Sequence, residues 1–337
     1  MERENFASSA LTIHATTSPS WQARGLSALI RVFVRRHRWG RDARGTARRA
    51  RLIFGSPRPY QWLQARGVKV RKVEEAGIRG EWLEPAGASS GDGVIFYIHG
   101  GGFVSCSAAT QRPLTAAFAR HTRMRVFSLD YRLAPEHRYP AALEDVVAAY
   151  KWLLARGTPA GGVCIAGDSA GGNLVLSCLL RLRRAGLALP ACAVCFSPWT
   201  DLAGTTASVR ANDGRCAMFR TENIEEFAVA YLPAGMSPRD PEASPAHAAD
   251  FGGLPPILFQ VGSTELLLDD SALVHDKILA ARGESRLEIY EDLPHDWQMF
   301  DGIIPEARLA LRRAASFIRE HSSEAKEAKV YRPSVIG

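Results

Sequence analysis

A chain of 337 residues with 46% hydrophobic and 23% charged residues has an ordinary globular composition, large enough for one sizeable α/β core with an appendage or for two domains. No apolar run reaches the roughly 18 residues that a membrane span requires, and the N-terminus lacks the charged-then-apolar layout of a secretory leader. The net charge of +7 is unevenly placed: Arg24, Arg31, Arg35, Arg36, Arg38, Arg41, Arg44, Arg48, Arg49 and Arg51 crowd one early segment with Asp42 as the only acid among them.

A basic stretch of this kind could meet nucleic acid, an acidic membrane surface or an anionic substrate. The aromatics are not interleaved with these arginines in a way that would stack bases, and no nucleic-acid fold signature appears, so nucleic acid is not expected as a partner and a solvated helical face is the expectation. Glu2 and Glu4 disfavour an organelle transit peptide. Cys106, Cys164, Cys178, Cys192, Cys195 and Cys216 have no metal-ligand spacing, and several lie inside apolar runs, as free thiols in a reducing compartment do. The expectation is a cytoplasmic protein without stable membrane insertion, metal or cofactor.

Residues 1–20 show no usable periodicity and are expected to be loosely held. From Trp21, the residues Leu26, Leu29, Ile30, Phe33 and Val34 form an apolar stripe at helical spacing, and a second helix is expected over 47–54. Neither has a long core of its own, so residues 1–60 are read as a helical cap segment, broken off by Gly55-Ser56-Pro57-Arg58-Pro59. Strands are expected at 68–73, 78–83, 94–98, 125–129, 163–166, 192–196, 257–261 and 287–290. Helical patterns at 112–120, 141–155, 172–184, 273–281 and 306–320 alternate with the later strands. This alternation predicts an α/β fold, a mainly parallel twisted sheet with helices on both faces, over 61–198 and 250–322. The proline-rich stretch 199–249, with a helix expected at 222–231, is too long for a plain connection and is read as an insertion joining the cap. Residues 323–337 read as a flexible polar tail.

Three places carry chemistry. The strand ending at Ile98 runs into His99-Gly100-Gly101-Gly102-Phe103, whose glycines permit a turn with N–H groups aimed into a cavity, the layout of an oxyanion hole. Gly101, Gly102 and Ala170 are the expected donors. Ala166-Gly167-Asp168-Ser169-Ala170-Gly171-Gly172-Asn173 follows a strand and opens a helix, with small residues flanking Ser169 as a strained nucleophile elbow needs. Its bland alternative is a glycine-rich turn; a phosphate loop would need a Lys-Ser/Thr ending that is missing. Serine needs a base, and the base an acid. Among downstream histidines, His247 lies in the proline-rich insertion and His275 in a helix, whereas His295 follows the last strand. For the acid, Glu265 after strand 257–261 is preferred to Asp269, and Asp269 and Asp270 are expected to cap the helix from Leu273.

With Asp130-Tyr131-Arg132-Leu133-Ala134-Pro135-Glu136-His137 and Leu293-Pro294-His295, these stretches resemble the hormone-sensitive-lipase-like (type IV) bacterial esterases of the α/β-hydrolase fold. The match in order and spacing spans about residues 90–300. It implies hydrolysis of short- to medium-chain carboxylic esters through an acyl-enzyme, with Ser169, His295 and Glu265 as triad and no cofactor. It also implies supporting roles for His99 and Asp168, and a brace on the oxyanion loop from Tyr131, Arg132 and Glu136. The cap stripe with Trp21 and Phe33 would form the acyl or alcohol pocket, and a homodimer is compatible with the family. The family usually places aspartate-proline-leucine at the acid position, where this chain has Glu265-Leu266-Leu267. A lactone hydrolase, deacetylase or amidase would use the same triad; a non-catalytic receptor on this fold would lack part of it.

Overall fold

The computed structural model describes residues 10–15, 18–36, 39, 42–88 and 93–330. Arg38 and Arg41, the acids Glu2 and Glu4, and the last seven residues of the expected tail lie outside them.

The chain begins with β1 (Ala10–His14) and three helices, α1 (Trp21–Phe33), α2 (Ala43–Ile53) and α3 (Arg58–Gln64). Next come β2 (Val68–Glu75), β3 (Ile78–Pro85), β4 (Val94–Ile98), α4 (Arg112–Thr122), β5 (Arg125–Leu129) and α5 (Ala141–Ala155). They are followed by β6 (Val163–Asp168), α6 (Ala170–Arg184), β7 (Cys192–Phe196), α7 (Ala207–Ala211) and α8 (Thr221–Tyr231). The chain closes with β8 (Ile257–Gly262), α9 (Leu268–Ala280), β9 (Ser285–Tyr290) and α10 (Pro305–Val330).

All nine strands join one sheet in the order β1-β9-β8-β7-β6-β4-β5-β3-β2. The pairings of β3 with β2 and β5 are antiparallel and all others are parallel. Helices cover both faces, which explains the unbroken apolar runs of the central strands. In β4, Phe96 and Ile98 join the core under α5 and α6, whereas Ile95 and Tyr97 join the core with Phe118 of α4 and Phe317 of α10. A period-2 strand buried on both sides has no polar position to spare.

Three elements escaped the sequence reading: β1, α3 and the short α7. Residues 10–14, expected to be loose, add an edge strand in parallel register with β9, Leu11 facing Arg286 and Ile13 facing Glu288. Five residues are too short for periodicity to declare, and their pairing depends on a partner some 275 residues away. The stretch 55–59, read as a break, ends by starting α3: Pro59 occupies the first turn, where a missing N–H costs no helical hydrogen bond. Helix α10 also runs on to Val330, into residues assigned to the tail.

The N-terminal helices and the 199–249 segment pack on each other. Trp39, Phe54, Phe219 and Phe227 form one aromatic cluster, with Trp39 and Phe227 centroids 5.2 Å apart and Phe54 and Phe219 centroids 5.9 Å apart. Part of the arginine-rich segment, expected to be a solvated face, clamps this junction. Arg31 donates to the carbonyls of Gly214 and Arg215, and Arg35 donates to Phe219 O and pairs with Asp213. At the other end of the segment, Ser20 caps α1 and bonds Glu306 at the start of α10.

Candidate active site

Ser169 stands between β6 and α6 with φ 52° and ψ −120°, a conformation an L-residue holds only when its surroundings enforce it. The surroundings are tight backbone. A Cβ on Gly167 would lie 2.6 Å from the Gly171 carbonyl carbon, and one on Gly171 would run into the Ile98 carbonyl. The Ser169 amide donates to Phe196 O at 2.8 Å, tying the turn to the end of β7. Ala170 is the first residue of α6, so its N–H belongs to the first helical turn, which has no intrahelical acceptor.

The glycine loop after β4 turns with Gly101 and Gly102 at φ 101° and 62°. Bulk is excluded here too: a Cβ on Gly101 would meet Ser105 O at 2.5 Å, and one on Gly102 would meet the Phe227 ring of α8 at 2.5 Å. Asp168 receives Tyr97 OH at 2.6 Å, the Gly100 amide at 3.0 Å and Gln111 Nε2 at 2.9 Å, so the elbow's own carboxylate holds the loop. His99 stacks on Tyr131 with centroids 4.2 Å apart, and Tyr131 OH donates to His99 O at 2.9 Å.

Of the three expected braces, Tyr131 therefore touches the loop directly. Glu136 acts through the N-terminal segment: it pairs with Arg51, whose Nε donates to Val104 O. Arg132 is not brought to the loop. Its backbone N–H and guanidinium both converge on Asp145 of α5, an acid only 13 residues away that satisfies it locally.

Glu265 and His295 meet after β8 and β9. His295 Nδ1 lies 2.6 Å from Glu265 Oε2, and the two residues are 2% and 1% exposed. The other Glu265 oxygen accepts from Ser197 Oγ at 2.7 Å and from the Gly262 amide at 2.6 Å. Ser197, at φ 42° after β7, was not singled out in the sequence. Asp269 and Asp270 lie within the first turn of α9, which starts at Leu268 rather than Leu273, and neither reaches His295. Asp269 accepts from the Ser208 amide, and Asp270 from the amides of Thr200 and Asp201, pinning the 199–208 loop. His247 pairs with Asp201 and His275 bonds Ser285, both away from Ser169.

Asp296 is a second residue that sequence reasoning missed, although it adjoins His295. It takes the left-handed conformation at φ 56°, and its Oδ2 lies 3.2 Å from His295 Nε2, which makes no aligned hydrogen bond. Burial would lower His295, but the carboxylates of Asp296 and Glu265 outweigh it and lift the imidazole to about 9. Burial, with Asp168 and Glu265 nearby, in turn pushes Asp296 well above the usual carboxylate range. The pair holds a proton through neutral pH.

One cavity receives Ser169, His295, Asp296, Gly101 and Gly102. Its apolar walls come from the N-terminal helices (Ile30, Val34, Ile53, Phe54) and from the 199–249 segment (Phe219, Ile224, Phe227). Trp21 and Phe33, expected in this pocket, are instead 73% and 65% exposed. Helix α1 carries apolar residues on two faces, and Ile30 and Val34 face inward. Cys106 also lines the cavity, but burial pushes its thiol up to about 12, so it is no nucleophile at neutral pH. Among the described residues no group of His, Cys, Asp and Glu is arranged to hold a metal ion.

Residues 95–299 match a protein family described as having the alpha/beta hydrolase fold. The chain belongs to the hormone-sensitive-lipase-like α/β hydrolases. A solved esterase of the bacterial hormone-sensitive lipase family is 36% identical to it with a TM-score of 0.80, covering 91% of this chain and 100% of that one. An acetyl-hydrolase of Streptomyces hygroscopicus is 42% identical over 245 residues, covering 72% of this chain and 80% of its own. An esterase of Acinetobacter venetianus is 38% identical over 74% of this chain and 82% of its own. This hydrolase is an enzyme of the carboxylesterase type.

Proposed function

We propose that this hydrolase cleaves short- to medium-chain carboxylic esters, with Ser169 as nucleophile, His295 as base and Glu265 as the acid that orients the base. The observation that carries the assignment is the 2.6 Å contact between Glu265 and His295 Nδ1, with Ser169 and His295 on one cavity. Glu265 keeps the proton on Nδ1, leaving Nε2 to accept the serine proton. For that, Nε2 must be released from Asp296.

Ser169 Oγ bonds to the acyl carbon as His295 takes its proton, and the amides of Gly101, Gly102 and Ala170 receive the oxyanion. The C–O bond to the alcohol then breaks, with His295 returning the proton to the leaving oxygen. Water, deprotonated by His295, attacks the acyl-enzyme and releases the acid and free Ser169. No step draws on a cofactor. The N-terminal helices and the 199–249 segment act as a cap whose aromatic walls limit the acyl chain, and the acetyl-hydrolase relative supports a short one.

Hydrolysis of p-nitrophenyl acetate, butyrate and longer esters, with phosphonate labelling of Ser169, tests the reading. Activity that peaks at short chains and disappears with labelling is expected. Inert acetate and butyrate together with an unlabelled Ser169 would refute it.

A further inference from the structure

Helix α1 is apolar on two sides. At 100° per residue, Trp21, Leu29, Val32 and Phe33 fall within an arc of about 120°, opposite the buried Ala23 and Ile30. They are 73%, 56%, 47% and 65% exposed, and no described residue covers them. On α3, Trp62 is 66% exposed and Leu63 47%. Single exposed apolar residues are ordinary, but a stripe of this extent marks an interaction surface.

Charge identifies the occupant. Residues 1–60 hold twelve arginines and three acids, a net of +9, so the remaining 277 residues carry −2 of the chain's +7. Arg24 on α1 and Arg44 and Arg48 on α2 are exposed. Tryptophan, phenylalanine and leucine on one face of α1, with Arg24 on the same helix and no acid in it, suit a helix lying in the head-group region of an anionic bilayer. Like charge disfavours two copies meeting through this face. Among the described residues no helix is long and apolar enough to cross a membrane, so contact would be at the surface.

We propose that the outer face of α1 docks the enzyme on an anionic lipid surface. The inner face of α1, through Ile30 and Val34, lines the cavity containing Ser169, so a docked enzyme stands one helix away from esters held in the surface. That substrate class rests on the ester-hydrolase reading; the docking does not.

The test is co-sedimentation of the full chain with phosphatidylglycerol or phosphatidylcholine vesicles. Most of the protein should pellet with phosphatidylglycerol at low salt, and about tenfold less with phosphatidylcholine or at high salt. Trp21→Ser with Phe33→Ser, and separately Arg24→Glu, should each cut pelleting about tenfold while soluble p-nitrophenyl acetate is hydrolysed as before. Ser169→Ala should pellet like the parent protein, and pelleting without any hydrolysis by the parent would sink the esterase reading alone. Three results overturn the docking: parent protein that stays in the supernatant with phosphatidylglycerol, apolar or charge variants that pellet unchanged, or a dimer that Trp21→Ser with Phe33→Ser converts to monomer.

Discussion

Glu265 grips His295 Nδ1 at 2.6 Å with one oxygen while Ser197 and Gly262 hold the other, and Asp269, four residues on, spends its carboxylate on the Ser208 amide. The two acids that the sequence left in competition thus have separate work. Glu265→Gln should lower kcat about 10³- to 10⁴-fold with KM little changed, because the imidazole loses its tautomer and its counter-charge. Asp269→Asn should change kcat less than about threefold. Ser197→Ala should fall between them, at about 10- to 100-fold, the worth of one hydrogen bond to a charged group. Steady-state kinetics on p-nitrophenyl butyrate ranks the three, and an inverted order would assign the acid elsewhere.

The proton held near His295 predicts an alkaline activity profile. A base must be neutral, and the imidazole stays charged up to about 9, so kcat/KM should climb from pH 6 to about 9. Asp296→Asn removes one of the carboxylates raising His295 and should move this limb down by about one unit. Stability follows the same linkage. A histidine raised above its unfolded value of about 6.5 stabilises fully below that pH and loses the contribution as pH rises through about 9, so Tm should decline across that window. A limb centred near pH 6 in both proteins would contradict the role given to Asp296.

Gly102 has a backbone at φ 62° and the Phe227 ring where a Cβ would go. Gly102→Ala should distort the glycine loop and cut kcat about 10²- to 10³-fold, the loss seen when an oxyanion donor is removed. Folding should survive, since the ring belongs to a side chain that can shift. Near-normal kcat would show that the Gly102 amide does not receive the oxyanion.

Asp270 is buried beneath the loop after β7, with two backbone amides and the Thr206 hydroxyl on its carboxylate. Asp270→Ala leaves those amides unpaired and should cost about 3 kcal/mol, a drop in Tm of several degrees. Asn keeps an acceptor in place and should cost roughly half as much or less. Thermal unfolding of the two variants makes the comparison, and equal losses would mean the contact is packing alone.

What the amino-acid order determined by itself is the part dictated by backbone chemistry. Ser169 needs Gly167 and Gly171 because other chain segments pass too close for a Cβ, and the glycines after Ile98 are required by positive φ and by crowding from Ser105 and Phe227. Such constraints fall on single glycine positions and leave a readable mark, as do the doubly buried strands. Tertiary structure decided the rest. Asp296 gains its importance from burial beside Nε2, and Ser197 from a neighbour 68 residues away. The edge strand β1 exists through its register on β9. Helix α1 is apolar on both sides, so periodicity found a helix but could not say which face looks inward; packing against the cavity chose Ile30 and Val34 and left Trp21 and Phe33 outside.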